Sequence, residues 1–352
     1  MAMTCKKWAI TAILSTCMLL VGLGSVTICI DPYFHYHAPL QGLEYPISNE
    51  RYQNDGIIRH FPYNAIITGT SMTENFKASE LDSLFHVNSI KVPFSGGGHK
   101  EIDAALKRAV FENPDITYIV RGLDDGMLLQ DKDWVRYDSY PDYLYDDFLP
   151  NDVNYILNKE IFHASLYVLT YTKSGGKTTN FDEYANWMHL VDFGKEAIES
   201  LYKRPGKGNL LEFTKEDKQM VTENIRQNVT ELIASHPNIT FYLFFPPYSI
   251  YTWDSWNQSG NIERQLAAQK LEIELLLEYE NVKLFSFFQN YEMICNPDNY
   301  KDHSHYSETI NSQILQWMKQ GDYQLTKENY LDYYNEIHDF YRNYDYESLF
   351  LP

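Results

Sequence analysis

Residues 8–30 form an apolar run that contains no charged side chain. A helix rises about 1.5 Å per residue, so roughly 20 apolar residues cross the hydrocarbon of a bilayer. Lys6 and Lys7 precede the run and Asp31 follows it, which by the positive-inside rule predicts a cytoplasmic N-terminus (residues 1–7) and an extracytoplasmic remainder. The pattern predicts an uncleaved single-pass anchor. A cleaved signal peptide is the alternative, but the run is longer than a usual signal core and no Ala-x-Ala site follows it.

Beyond the anchor, short apolar runs alternate with amphipathic stretches. The runs predict strands at 64–68, 88–92, 116–120, 239–245 and 282–287. The amphipathic stretches predict helices at 74–85, 99–110, 216–235, 262–280 and 308–318. Strands that alternate with crossover helices are typical of a parallel sheet covered on both faces. The sequence therefore predicts an α/β fold of three layers, α/β/α, with a parallel sheet.

The same pattern predicts how the chain is divided. Residues 31–60 form a juxtamembrane segment, which either wraps the domain or contacts a partner. The α/β domain spans 61–320 and carries an insertion at about 131–211, rich in Tyr, Asp, Asn and Gly. Insertions of this kind often build the walls of a site. Residues 321–352 form an acidic, tyrosine-rich helical tail.

Composition narrows the possible functions. The chain has 29 Lys and Arg against 48 Asp and Glu, a net charge of −19, which excludes a protein that grips nucleic-acid phosphates. Hydrophobic residues make up 44% and charged residues 22%, the balance of a chain that buries a core. Three of the four cysteines lie at positions 5, 17 and 29, so the extracytoplasmic part has no disulfide framework.

In an α/β sheet the chemistry lies at the carboxyl ends of the strands. Ser71 follows the first predicted strand, where its own amide and a helix N-terminus would favour a developing negative charge. The alternative is structural, because Ser71 and Glu74 also match a capping box. Gly96 and Gly97 follow the second strand and could present a backbone N–H to a ligand, or simply form a turn.

Two further polar groups complete the candidate site. Asp124 follows the third strand, and Asp302 lies three residues before His305 near the C-terminus. At this spacing a turn lets the carboxylate hold one ring nitrogen while the other faces a serine. His303 and His305 could instead bind zinc together with a histidine at 35 or 37, but no further ligand spacing supports it. No metal and no cofactor is predicted.

These motifs resemble the blocks of the SGNH/GDSL hydrolase family. Their order along 64–318 is the family's: Gly69-Thr70-Ser71, then Gly96 or Gly97, then Gly122-Leu123-Asp124-Asp125, and finally Asp302-x-x-His305. With the anchor, the chain is similar to the membrane-tethered branch that includes cell-surface polymer O-acylation proteins of the DltD and AlgJ types. The resemblance implies that Ser71 is the nucleophile, His305 its general base and later acid, and Asp302 the residue that orients His305.

The resemblance also implies an oxyanion hole, and here the chain departs from the family. The hole would comprise the amides of Ser71 and of Gly96 or Gly97, together with position 124. The family has an asparagine there and Gly-Asp-Ser in the first block, whereas this chain has Asp124 and Gly-Thr-Ser. An ionised aspartate cannot donate a hydrogen bond. Either Asp124 is held protonated, or the hole has only backbone donors, or the site favours something other than ordinary ester hydrolysis.

The expected function is O-acyl transfer, with acetyl as the expected group, to a cell-surface polysaccharide. The same triad serves water or a hydroxyl acceptor, and the tether favours transfer. The alternatives are a tethered esterase and a catalytically degenerate scaffold protein. The resemblance implies a polytopic MBOAT-type acyltransferase as partner. We expect Tyr248, Asn180 and Trp187 to contact the sugar, since they offer stacking and hydrogen-bonding groups.

Overall fold

A computed structural model describes residues 5–136 and 141–350 of the chain. Part of the predicted cytoplasmic stretch (1–4) and part of the predicted insertion (137–140) therefore lie outside the described residues. The chain forms two compact units. The first comprises Met1–Phe61 and Ser139–Asn180, and the second comprises Pro62–Asp138 and Phe181–Pro352. This division cuts across the predicted insertion at 131–211.

The described residues contain the following elements. The strands are β1 (Ala65–Gly69), β2 (Ser89–Pro93), β3 (Tyr118–Gly122), β4 (Thr240–Phe245), β5 (Val282–Ser286) and β6 (Gln324–Leu325). The α-helices are α1 (Cys5–Ile30), α2 (Glu50–His60), α3 (Ala78–Phe85), α4 (His99–Glu112), α5 (Val153–Ile156), α6 (Lys159–Lys173), α7 (Lys195–Leu201), α8 (Lys215–Ile225), α9 (Glu231–Ser235), α10 (Ile250–Gln258), α11 (Ile262–Leu276), α12 (Tyr291–Ile294), α13 (Glu308–Gln320) and α14 (Tyr330–Asn343).

The second unit is built on one sheet. Its strand order is β2-β1-β3-β4-β5-β6, and the first five strands pair in parallel. This confirms the predicted parallel sheet, in the doubly wound order whose switch point lies between β1 and β3. Ile66 pairs with Ile90 on one side and Ile119 on the other, and all three are fully buried. Strand β6 is antiparallel to β5 and was not predicted, because two residues are too short to show a pattern.

Helices cover both faces of this sheet, which confirms the three-layer α/β/α architecture. Helix α3 packs against α13, whereas α11 packs against α8 and α14. Right-handed crossovers between parallel strands place α3 and α4 on opposite faces, because the chain reverses direction across the sheet after β2. Because β1, β2 and β3 are parallel, their carboxyl ends lie at the same edge of the sheet.

Several predicted helix limits differ from the observed ones. The start predicted at 74 is wrong, since α3 begins at Ala78 after a separate 3-10 turn at Ser71–Thr73. The helix predicted at 216–235 is interrupted by a π-helical turn at Arg226–Thr230. A helix in the predicted tail is confirmed by α14.

The first unit contains α1, α2, α5 and α6. Helix α1 is long and apolar enough to cross a membrane, although a signal sequence passes the same test. Most of α1 is exposed, and only Gly24 and Thr27 are buried. A helix that exposes so many apolar side chains needs an apolar environment.

Candidate active site

A tight turn holds Ser71 at the carboxyl end of β1. The strand ends at Gly69, which has a φ of 150°, and a Cβ there would meet Thr73 Cγ2 at 2.6 Å. Only glycine accepts this backbone without strain. The Thr70 hydroxyl accepts a hydrogen bond from the Met72 amide and so caps the 3-10 turn. The capping role that the sequence allowed for Ser71 belongs instead to Thr70, and the Ser71 hydroxyl points elsewhere.

The structure brings Ser71, His305 and Asp302 together as a hydrogen-bonded relay. Ser71 Oγ lies 2.8 Å from His305 Nε2, although the two residues are 234 positions apart in the chain. His305 Nδ1 lies 2.8 Å from Asp302 Oδ2. Since Asp302 accepts at Nδ1, that nitrogen carries the hydrogen and Nε2 is left to accept from the serine. This tautomer is the one a general base requires.

Hydrogen bonds from its own loop keep Asp302 charged and in place. Its Oδ1 atom accepts from the amides of Ser304 and His305, each at 2.8 Å. Burial acts against the charged form, but the bonds from the His305 ring and from these amides outweigh it and hold the pKa of Asp302 well below its usual range. Asp302 is therefore an ionised acceptor at neutral pH.

A buried tyrosine joins the histidine loop to the serine turn. Tyr300 and Tyr306 form an antiparallel bridge that closes the loop around Asp302 and His305. The Tyr306 hydroxyl donates to the Met72 carbonyl at 3.0 Å, directly beside the serine. The amide of the Asn311 side chain donates to the same carbonyl at 3.2 Å. These bonds fix the distance between Ser71 and His305, and sequence reasoning assigned no role to either donor.

Backbone amides at the same strand ends are available for an oxyanion. The Gly97 amide donates to the Phe94 carbonyl at 2.8 Å, and the Gly98 amide donates to the Glu101 side chain at 2.7 Å. Among the described residues the Gly96 amide has no such acceptor, and Gly96 has a φ of 62°. Of the two glycines that the sequence left open, the geometry favours Gly96. The Ser71 amide begins the 3-10 turn and has no acceptor within it.

Asp124 has a role different from the one expected of an oxyanion donor. Its carboxylate accepts from Thr70 Oγ1 at 2.9 Å, from the Gly126 amide at 3.2 Å, and from the Tyr248 hydroxyl. A carboxylate with three donors around it acts as an acceptor and has no hydrogen to give. The two positions that depart from the family pattern, Thr70 and Asp124, are thus bonded to each other. These three contacts use Asp124 as an acceptor, and a part for it in an oxyanion hole stays a prediction.

Tyr248 also differs from expectation, since its side chain is buried rather than exposed to a substrate. Burial, followed by the nearby carboxylate of Asp124, raises its pKa well above the usual value, so its hydroxyl stays protonated and donates. The signal available in the sequence was only its position after a strand. That signal does not distinguish a pocket wall from a buried support.

Trp187 lies beside the relay. Its ring is 5.8 Å from the His305 ring in an edge-to-face arrangement, and Lys301 Nζ lies 3.9 Å from the centre of the indole. The Trp187 amide donates to Asn75 Oδ1 at 3.1 Å, which connects this segment to the turn that follows Ser71–Thr73. Trp187 is therefore near enough to shape the approach to His305.

Asn180 is an exposed residue at the end of the first unit, whereas Trp187 belongs to the second unit. A contact of Asn180 with sugar stays a prediction.

A cavity of about 690 Å³ borders Asp302. It is lined by a mixture of aromatic, charged and hydroxyl side chains that includes Phe193, Glu196, Ser200, Lys301 and Asp302. Such a lining suits a hydroxyl-rich ligand, because each polar group can bond a hydroxyl while the ring contacts a sugar face. Within residues 5–136 and 141–350, no three His, Cys, Asp or Glu side chains are grouped to hold a metal.

Comparisons with known proteins give little beyond this geometry. No family model matches the chain, and no curated protein matches it. A solved structure, described as that of a proposed platelet activating factor from Streptococcus pneumonia, is similar over 77% of this chain and 90% of that chain, with 10% identity and a TM-score of 0.38. A similarity this distant carries no argument about activity. The functional assignment rests on the residues.

Proposed function

We propose that this chain is a membrane-tethered serine acyltransferase of the SGNH type, which passes an acyl group, acetyl in the simplest case, to a hydroxyl of a cell-surface polysaccharide. The observation that carries the proposal is the relay from Ser71 through His305 to Asp302, with both contacts at 2.8 Å. In a nucleophile-base pair this distance is that of a working hydrogen bond.

The first half-reaction forms an acyl-enzyme. Ser71 Oγ attacks the acyl carbonyl while its proton moves to His305 Nε2, and the carbonyl oxygen becomes an oxyanion that the Ser71 and Gly96 amides stabilise. The tetrahedral intermediate collapses, the bond to the leaving oxygen breaks, and His305 returns the proton to that oxygen. Asp302 stays ionised and stabilises the imidazolium throughout.

The second half-reaction uses the same groups in reverse. An acceptor hydroxyl gives its proton to His305 Nε2 and attacks the acyl-enzyme carbonyl. The bond to Ser71 Oγ then breaks and the serine regains the proton. Water in place of the sugar hydroxyl would make the protein an esterase. The cavity beside Asp302 favours a bound acceptor, since Glu196, Ser200 and Lys301 offer partners to sugar hydroxyls.

The membrane tether supports acyl transfer to a polymer rather than hydrolysis of freely diffusing esters. Helix α1, if it remains uncleaved, holds the enzyme where a polymer is built at the outer membrane face, and a polytopic MBOAT-type acyltransferase would supply the acyl group there. The relay argues against a purely scaffolding role, because a degenerate site would have no reason to keep the serine, the tautomer and the charged carboxylate aligned.

Intact-protein mass spectrometry tests the proposal. The full-length chain in detergent is incubated with an activated acetyl ester, with Ser71→Ala as the test variant and Ser235→Ala, an exposed serine on α9, as the matched control. We expect one acetyl adduct on the native and control proteins and none on Ser71→Ala. An equal adduct on folded Ser71→Ala would refute the nucleophile. Transfer is then measured by adding an oligosaccharide and comparing acetylated sugar with free acetate.

A further inference from the structure

The first unit exposes a set of large apolar side chains in the segment 148–172, which we call the apolar hairpin. Between 39% and 74% of each is exposed, and they are Phe148, Leu149, Val153, Leu157, Leu166, Tyr167 and Leu169. They lie on or beside α5 and α6. Large apolar side chains collected on one short segment are typical of an interaction surface rather than of a face in water.

The hairpin also carries very few charges. No Asp, Glu, Lys or Arg occurs from 161 to 172, in a chain with 22% charged residues. From 148 to 158 the one charged side chain is Asp152, which is buried. Lys159 and Glu160 stand at the start of α6, where both are exposed. A helix with one side in water normally places charges on that side.

The hairpin packs against the outer half of α1. A Cβ at Gly24 would lie 2.6 Å from Ile156 Cγ2, so the two segments approach as closely as a glycine allows. A groove of about 460 Å³ between them is lined by apolar side chains, among them Leu20, Val21 and Val153. Gly24 precedes the end of α1 by six residues, or about 9 Å along the helix axis. The hairpin therefore contacts α1 about 9 Å before its C-terminal end, measured along the helix axis.

A buried polar cluster fixes the hairpin to the end of α1. The Asp31 carboxylate, directly after α1, accepts from the Tyr36 amide at 2.7 Å and from the Tyr155 hydroxyl at 2.6 Å. The Tyr36 hydroxyl in turn donates to Asp152 at 3.0 Å. At the far end of α6, Thr172 Oγ1 accepts from an amide of the juxtamembrane segment at 2.8 Å. Since both ends are bonded, the depth of the hairpin follows from the position of α1.

We propose that the apolar hairpin lies in the outer interface of the membrane that α1 spans, with its exposed side chains among the lipid acyl chains. The occupant is lipid because the hairpin shares its groove with Val21 and Ile28, which are themselves exposed side chains of α1. Interfacial amphipathic segments bury their apolar face by about 5–10 Å, which matches the depth of Gly24. The inference rests on the anchored topology of the proposed function and not on its chemistry.

The test uses fluorescence quenching of the full-length chain in phosphatidylcholine–phosphatidylglycerol vesicles. The four native cysteines are replaced by alanine, and an environment-sensitive fluorophore is attached at Leu166→Cys. Lys177→Cys, in the exposed polar loop after α6, is the matched control, and Val21→Cys reports on the anchor. Quenchers are a lipid spin-labelled near the headgroup and aqueous iodide. Circular dichroism and an unchanged thermal unfolding midpoint show that each labelled protein is folded.

We expect the lipid label to quench the probes at 166 and 21 several-fold more than the probe at 177, with the opposite order for iodide. If 166 behaves like 177 while 21 is quenched by lipid, the inference is overturned and the anchored enzyme stands. Protection of 166 from both quenchers would indicate that protein covers the hairpin, which overturns the lipid assignment. Quenching of 21 by iodide would overturn the anchor as well.

Discussion

If the proposed function is right, replacing Asp302 by asparagine should abolish most of the activity toward an activated ester without unfolding the protein. Asp302 Oδ1 accepts two backbone amides at 2.8 Å, and Oδ2 accepts the ring of His305 at the same distance. The asparagine oxygen will keep the two amides, so its NH₂ group will face His305 Nδ1. Because that NH₂ group can only donate, the imidazole must adopt the other tautomer, with the hydrogen on Nε2.

A histidine with its hydrogen on Nε2 cannot accept the proton of Ser71. Loss of the orienting carboxylate in triads lowers kcat by about 10⁴-fold, equivalent to about 5 kcal/mol of transition-state stabilisation. The assay is hydrolysis of an activated acetyl ester at pH 7–8, with circular dichroism to verify folding. Asp298→Asn, an exposed carboxyl group in the neighbouring 3-10 turn, is the matched control and should retain full activity.

The same variant has a defined pH signature. The pKa of Asp302 is depressed in the folded protein, so its charge stabilises the fold above the unfolded pKa of about 3.9. This contribution is lost as the pH falls through the folded pKa, so the stability gap between wild type and Asp302→Asn should narrow in acid. A folded Asp302→Asn protein within tenfold of wild-type activity would refute the reasoning.

Three further predictions address the supports of the site and the anchor. Tyr306→Phe removes one of the donors to the buried Met72 carbonyl beside Ser71. The loss should lower the free energy of unfolding by about 1 kcal/mol and change kcat more than KM. An unchanged free energy of unfolding together with an unchanged kcat would contradict the positioning role of Tyr306. Hydrogen bonds from Arg264 lower the pKa of Asp217 to about 2. Arg264→Gln should therefore destabilise the protein at pH 7, and this loss should shrink as the pH falls from about 4 and vanish only below about 2, where the carboxyl group is protonated in the folded protein too. A loss of stability that does not change with pH would exclude the ion pair as the cause. Gly24→Leu should separate the apolar hairpin from α1, because the leucine side chain would occupy the space of Ile156. Limited proteolysis within 148–172 should therefore become faster. Gly22→Leu is the control, since no described atom lies within 4 Å of a Cβ added there.

Local pattern was enough to predict the five parallel strands and the helices α3, α4, α8, α11 and α13 between or after them, although not every limit of these elements. Alternating apolar runs and amphipathic helices determine a parallel three-layer fold, because each strand must be covered on both faces and each crossover has one hand. The antiparallel β6 and the π-helical turn at Arg226–Thr230 were not predictable, because both depend on what packs against them rather than on a local period.

The candidate triad could be proposed from sequence because its residues stand in short motifs at strand ends and in one turn. Its geometry could not, since the contact between Ser71 and His305 joins positions 234 apart. The buried hydrogen bond from Tyr306 to the Met72 carbonyl, which helps to set this contact, could not be predicted from any local motif.

Residue type alone did not predict the role of Asp124 or the apolar surface of the first unit. An aspartate at position 124 was ambiguous until Thr70 and Tyr248 were seen to donate to it, because the role of a carboxylate depends on its hydrogen-bond partners. A helix long and apolar enough to cross a membrane was predictable from 23 uncharged residues in sequence, 8–30. The apolar hairpin was not, since its exposed side chains alternate with buried ones, and only packing against α1 shows which side is left uncovered. The sequence thus determined the apolar periodicities, and with them the strands, the helices and the short motifs at their ends. The tertiary structure decided which groups far apart in the chain share a hydrogen bond or an apolar surface.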